Sequence, residues 1–85
     1  MTAVRTTRGA LFAIALPKRV GGYVWRVARP FNTRVARQTT EGDVGSTVVL
    51  AFRAVGRGRT AIVVAETKGE TAKAYRAVRY DVTVG

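Results

Sequence analysis

The chain of 85 residues has no cysteine, no histidine, one serine, one tryptophan, two prolines and five acidic residues. Without cysteine there is neither a disulfide nor a thiolate zinc site, and the redox compartment stays open. Without histidine the usual general base and the commonest metal ligand are both missing. The lone serine, Ser46, follows the Gly45 turn, where it reads as a hydroxyl at the start of a strand; as a nucleophile it would need a lysine or an N-terminal amine as base. The acids Glu41, Asp43, Glu66, Glu70 and Asp81 match neither a calcium loop nor a catalytic carboxylate pair, and read as solvated turn residues. The expectation is a non-enzymatic protein with no metal and no cofactor.

Long hydrophobic runs are also absent. The longest, residues 10–16, has seven members, against the ~20 that a membrane-spanning helix requires. Basic residues precede it, but it lacks the length and the small-residue cleavage site of a secretory leader. These features favour a cytoplasmic or particle-associated protein that crosses no membrane.

Basic residues are plentiful: 15 lysines and arginines leave a net charge of +10. Eight of them lie in residues 1–37, which contain no acid. One end or face is therefore expected to be strongly electropositive, with Arg5, Arg8, Arg26, Arg29, Arg34 and Arg37 as its candidate residues. Such a surface attracts nucleic acid, an anionic membrane surface or an acidic protein. The alternative is that the arginines reflect base composition and are simply solvated.

Along the chain the patterns are those of strands. Residues 11–16 form a continuous apolar run ended by Pro17, as expected of a strand covered on both faces. Tyr23, Trp25 and Val27 alternate in a second strand, and Val35 marks a short edge strand within residues 32–40. Residues 41–45 read as a turn. Val48, Leu50, Phe52 and Ala54 then line one face of a strand, and Gly56-Arg57-Gly58 reads as a hairpin leading to a central apolar strand at residues 60–65. Val78, Tyr80, Val82 and Val84 alternate in the last strand. A helix at residues 70–79 competes on alanine propensity, but its periodicity is poor. Residues 1–10 read as a basic N-terminal arm, and residues 11–85 as one all-β domain, a small antiparallel sandwich or barrel of about six to seven short strands. Its expected core is Trp25, Phe52, Ile62, Val64, Tyr80 and Val82. Trp25 shares the apolar face with Val27, so it reads as core and not as a base-stacking platform. Gly56-Arg57-Gly58-Arg59 is a single arginine-glycine copy, better read as an exposed turn than as a nucleic-acid element.

Leu16-Pro17, a short loop, Gly22-Tyr23-x-Trp25, a glycine turn, Phe52-Arg53-Ala54-x-Gly56, an apolar strand and a closing alternating strand follow in an order that resembles the chagasin-type inhibitors of papain-like cysteine proteases. The resemblance spans roughly residues 11–84 and implies an immunoglobulin-like β-sandwich whose loops at one end enter a protease cleft. The corresponding loops here are Lys18, Arg19, Val20, Gly21 and Gly22; then Gly42, Asp43, Val44 and Gly45; then Thr67, Lys68 and Gly69. The first keeps a final glycine without the family's Asn-Pro-Thr-Thr, and the third has no Arg-Pro-Trp. The implied partner is a cysteine protease. Two other classes stay open: an assembly protein docking on an acidic surface of a larger particle, such as a decoration protein of a viral capsid, and a non-specific nucleic-acid binder. Self-association into a homo-oligomer is compatible with each.

Overall fold

Apolar side chains recur at every second residue along most of the chain. In the computed structural model, which describes residues 2–68 and 74–85, that period becomes seven strands: β1 (Thr2–Thr6), β2 (Leu11–Pro17), β3 (Tyr23–Val27), β4 (Ala36–Val44), β5 (Thr47–Ala54), β6 (Gly58–Lys68) and β7 (Arg76–Val84). There is no helix among the described residues. Two sheets pack face to face, one in the order β1-β7-β6-β3 and the other β2-β5-β4. All pairings are antiparallel except that of β1 with β7. The all-β sandwich is thus the observed class, and β6 is central in its sheet, as its apolar sequence requires.

Between the sheets lie Ile14, Leu16, Trp25, Leu50, Phe52, Ile62, Val64 and Val82, with Tyr80 packed at the margin. Phe52 is fully buried, stacked on Phe12 at 5.4 Å and met edge-on by Phe31 at 5.8 Å. These three rings fasten the two sheets through the β3–β4 connection.

Several local expectations are corrected. The segment read as a basic arm supplies β1, held beside β7 from Thr2↔Tyr80 to Thr6↔Val84, with Val4 packed against the core. A parallel partner requires a long crossover; here it is nearly the whole chain. Residues 11–16 are not covered on both faces, because β2 is an edge strand with only its inner face packed; Leu11 is 64% exposed. Val35 lies in a turn, where its amide and that of Ala36 donate to the Asn32 carbonyl, and the edge strand follows it as β4. Gly56-Arg57-Gly58 is no hairpin, since β5 and β6 belong to different sheets. It is the crossing between them, anchored where the Val55 amide donates to the Val35 carbonyl at 2.8 Å. A Cβ on Gly56 would collide with the backbone oxygen of Arg34. Of the competing helix, residues 76–79 begin β7, and residues 70–73 lie outside the described residues.

Truncation of Phe52 to alanine is expected to cost about 3 to 5 kcal/mol, since it empties the centre of the core. Gly56→Ala should also destabilise, by forcing the crossing away from Arg34. Urea unfolding followed by tryptophan fluorescence measures both.

Candidate protein-docking site

Strand register brings the β2–β3 loop, the β4–β5 turn and the adjoining ends of β6 and β7 to one end of the sandwich. Pro17 pairs with Thr47, so the β2–β3 loop lies against the β4–β5 turn; Tyr23 pairs with Lys68 and Glu66 with Arg76, so the end of β6 and the start of β7 lie beside the start of β3. The first two are stitched together where the Lys18 amide donates to the Ser46 carbonyl at 2.8 Å and the Lys18 ammonium meets Asp43 Oδ2 at 2.7 Å.

A second set of contacts ties the β2–β3 loop to β6 and β7. Ile62, Val64 and Glu66 share the inward row of β6, so Glu66 continues the core row and is fully buried. Arg76 grips its carboxylate through Nε and Nη2, at 3.2 and 3.0 Å. Arg19 reaches the Oε1 oxygen at 3.0 Å, and its guanidinium lies 3.7 Å from the centroid of the Tyr23 ring. Tyr23 in turn meets Tyr75 edge-on at 5.2 Å. Beneath them the Trp25 indole donates to the Pro17 carbonyl at 2.8 Å, and the Arg76 guanidinium lies 5.2 Å from the indole ring. The Arg76 hydrogen bonds hold the Glu66 carboxyl below the usual carboxylate range, against the opposing effect of burial, with Arg19 adding to the lowering. The same pairing raises Arg76.

The predicted loop residues fall in unequal places. Lys18, Arg19, Val20, Gly21 and Gly22 form an exposed loop with Val20 97% exposed at its tip. Gly21 and Gly22 have φ of 112° and 83°, a backbone that side chains with a Cβ rarely adopt. Gly42 and Asp43 are not loop residues. They belong to β4, because Gly42 to Val44 pair with Thr47 to Val49, and only Gly45 and Ser46 remain as a two-residue turn. Thr67 and Lys68 end β6; Thr67 is 6% exposed, so it is packed within the sheet and offers little surface to a partner. Gly69 lies outside the described residues. Of the basic set, Arg26 points outward from β3, while Arg5, Arg8, Arg29, Arg34 and Arg37 lie on or beside the connections at the opposite end.

Four of the acids read as solvated turn residues are corrected as well, while Glu70 lies outside the described residues. Glu41 and Asp43 are on β4, Asp81 is on β7 and paired with Arg79 at 2.8 Å, and Glu66 is buried. Sequence reasoning also missed Tyr75 and Arg76 as members of this end. A signal for them was present: an acid at the third member of the Ile62, Val64, Glu66 row needs cationic partners when that row is buried. Apolar surface gathers here too. Of the five large hydrophobic side chains exposed among the described residues, Val20, Val44 and Tyr75 belong to this end, and Val24 adjoins it as the second residue of β3. A side cleft of about 460 Å³ opens beside them between β3 and β4, lined by Tyr23, Trp25, Glu41 and Val48 among others. It stays open because the positions of β4 opposite Phe52, Leu50 and Val48 are Gln38, Glu41 and Asp43, which are too polar to close the core.

No family model and no curated protein matches the sequence. Among solved structures, the cysteine protease inhibitor EhICP2 from Entamoeba histolytica matches with a TM-score of 0.77 over 99% of this chain and 94% of that one, at 15% identity. The fold is that of the chagasin-type inhibitors. The likeness extends from β1 to β7, and so includes the strand that the sequence resemblance, beginning near residue 11, did not reach.

The buried carboxylate makes this end sensitive to acid. A group whose pKa is lowered by folding adds stability that is present above its ordinary value of 4.5 and is lost as the pH falls through the folded value. Glu66→Gln is therefore expected to lower the unfolding midpoint at pH 7 and to flatten the loss of stability below pH 4.5. Thermal unfolding of both proteins between pH 7 and pH 2.5 measures this.

Proposed function

We propose that the chain is a protein-binding β-sandwich that inhibits papain-like cysteine proteases by placing its β2–β3 loop and β4–β5 turn, with Tyr75 at their side, in the active-site cleft. The observation that carries this reading is the gathering of exposed apolar side chains on connections that are already braced. Val20 stands at the tip of a loop pinned on one side by Lys18–Asp43 and on the other by Arg19–Glu66. Ordering a mobile side chain on binding costs roughly 0.5 to 1.5 kcal/mol, and for Arg19, held against buried Glu66 and the Tyr23 ring, much of that ordering is complete in the free protein. Gly21 and Gly22 present bare backbone next to the anchor. The fold likeness to a cysteine protease inhibitor supports the same reading.

Affinity is expected to be modest. A few buried aromatic or arginine anchors dominate most interfaces; here Val20 is a small anchor and Tyr75 is partly engaged with Tyr23. Arg29-Pro30-Phe31 does not replace the family's Arg-Pro-Trp, since Phe31 packs on Phe52 in the β3–β4 connection.

Titration of papain with the purified protein, against a small fluorogenic substrate, is expected to show competitive inhibition with a constant of about 1 to 10 μM, equivalent to roughly −7 to −8 kcal/mol. Val20→Asp and Gly22→Val should each weaken it at least tenfold while leaving the circular dichroism spectrum unchanged. No inhibition at protein concentrations well above that range would overturn the proposal.

A further inference from the structure

Three stretches of the chain, residues 1–10, 28–37 and 53–60, together contain eight arginines and no acid, and none of the three lysines lies in them. The fold gathers these arginines at one pole, on its tip and on the two outer sheet faces beside it. Gly9 and Ala10 exchange backbone hydrogen bonds with Ala54, the Val55 amide donates to the Val35 carbonyl, and the Gly85 amide donates to Thr6. The stretches thus meet at the pole opposite the docking loops. Arg37 and Arg53 are direct neighbours on the outer face of the β2-β5-β4 sheet, and Arg5 and Arg59 flank Thr83 on the outer face of the other sheet, two strand spacings or about 10 Å apart, so a duplex lying across the pole meets one pair on each flank. Arg8 and Arg57 occupy the turns between these strands.

These charges are not neutralised from within. The four ion pairs among the described residues use Lys18, Arg19, Arg76 and Arg79, all outside the three stretches. Arg53 donates only to a neutral carbonyl, that of Gly9, at 3.3 Å. Asp81 lines a cleft with Arg5 and Arg59, but its carboxylate is engaged by Arg79 at 2.8 Å. Like charges placed directly opposite on adjacent strands destabilise the free protein, and an external anion removes that penalty.

We infer that this pole binds the phosphate backbone of double-stranded nucleic acid, without reading its sequence. The exclusive use of arginine fits phosphate, whose oxygens accept the two parallel bonds of a guanidinium fork. The molecule is 25 by 19 Å across its shorter axes, and a duplex carries one charge per ~1.7 Å of axis, so a footprint of this width offers about 15 phosphates, roughly half of them on the near side. Exposed aromatic rings that would stack on single-stranded bases are missing from the pole, since Phe12 and Phe31 pack on Phe52. Leu11 is the one large exposed apolar side chain near it among the described residues, which is too little to anchor in a lipid interface. The long axis of 39 Å separates this pole from the docking loops, so the two surfaces are free to act independently.

The test is fluorescence anisotropy with a labelled duplex of about 20 base pairs and mixed sequence, titrated at several salt concentrations. Five or so phosphate contacts predict a slope of log K against log salt of about −4.5, unchanged when the sequence is scrambled. The exposed pairs Arg5→Gln/Arg59→Gln and Arg37→Gln/Arg53→Gln should each reduce the magnitude of the slope by about 1.8, two contacts' worth, with folding checked by circular dichroism. Arg26→Gln/Lys68→Gln removes the same charge from outside the pole and should leave the slope nearly unchanged. Equal losses from all three pairs would reduce the effect to net charge and overturn the proposal. Tighter binding to vesicles containing phosphatidylserine, or to heparin, than to the duplex would overturn it in favour of another polyanion.

Discussion

The inward row of β6 is the constraint on which the rest of the molecule depends. Ile62 and Val64 fill the middle of the sandwich and Glu66 continues the same row to its end, so one strand carries both the core and the floor of the loop end. A buried carboxylate is costly unless it is paired and hydrogen-bonded, and the partners that satisfy it come from different segments of the chain. Arg76 opens β7 and Arg19 belongs to the β2–β3 loop. Loop position is therefore coupled to core burial, and the end of the sandwich is held in shape by the same packing that holds the sheets together.

Charge is divided along the long axis. Among the described residues, the acids of the loop end serve to brace it: Asp43 holds Lys18, and Glu66 holds Arg19 and Arg76. The opposite pole has arginines on three separate stretches of chain and no acid among them. Self-repulsion of this kind lowers stability without serving the fold, which is why it points toward an external partner. Apolar exposure follows the reverse gradient, with Val20, Val44 and Tyr75 at the braced end.

Much of the architecture was legible in the residue pattern. Period-two alternation located the strands at Tyr23, Trp25 and Val27, at Val48 to Ala54 and at Val78 to Val84, and the expected core residues all pack between the sheets, with Tyr80 at the margin. The order of glycine and aromatic positions was enough to suggest the chagasin-type sandwich that the structure adopts. Errors arose where local composition was read without its partner strand. Glu41 to Val44 looks like a turn by composition, yet pairing with β5 makes it strand. Gly56 to Gly58 looks like a hairpin, yet β5 and β6 separate into different sheets.

By itself the sequence determined the strand periodicity, the class of fold, the excess of positive charge in the first 37 residues and the lack of histidine and cysteine chemistry, because each is a property of single residues or near neighbours. Only the tertiary structure decided that residues 2–6 form a strand beside the last one, that Glu66 is bracketed by Arg19 and Arg76, and that the arginines collect at the pole opposite the loops. Those outcomes depend on which segments lie side by side across tens of residues. Period-two alternation sets the face of a side chain, and strand register sets its neighbours.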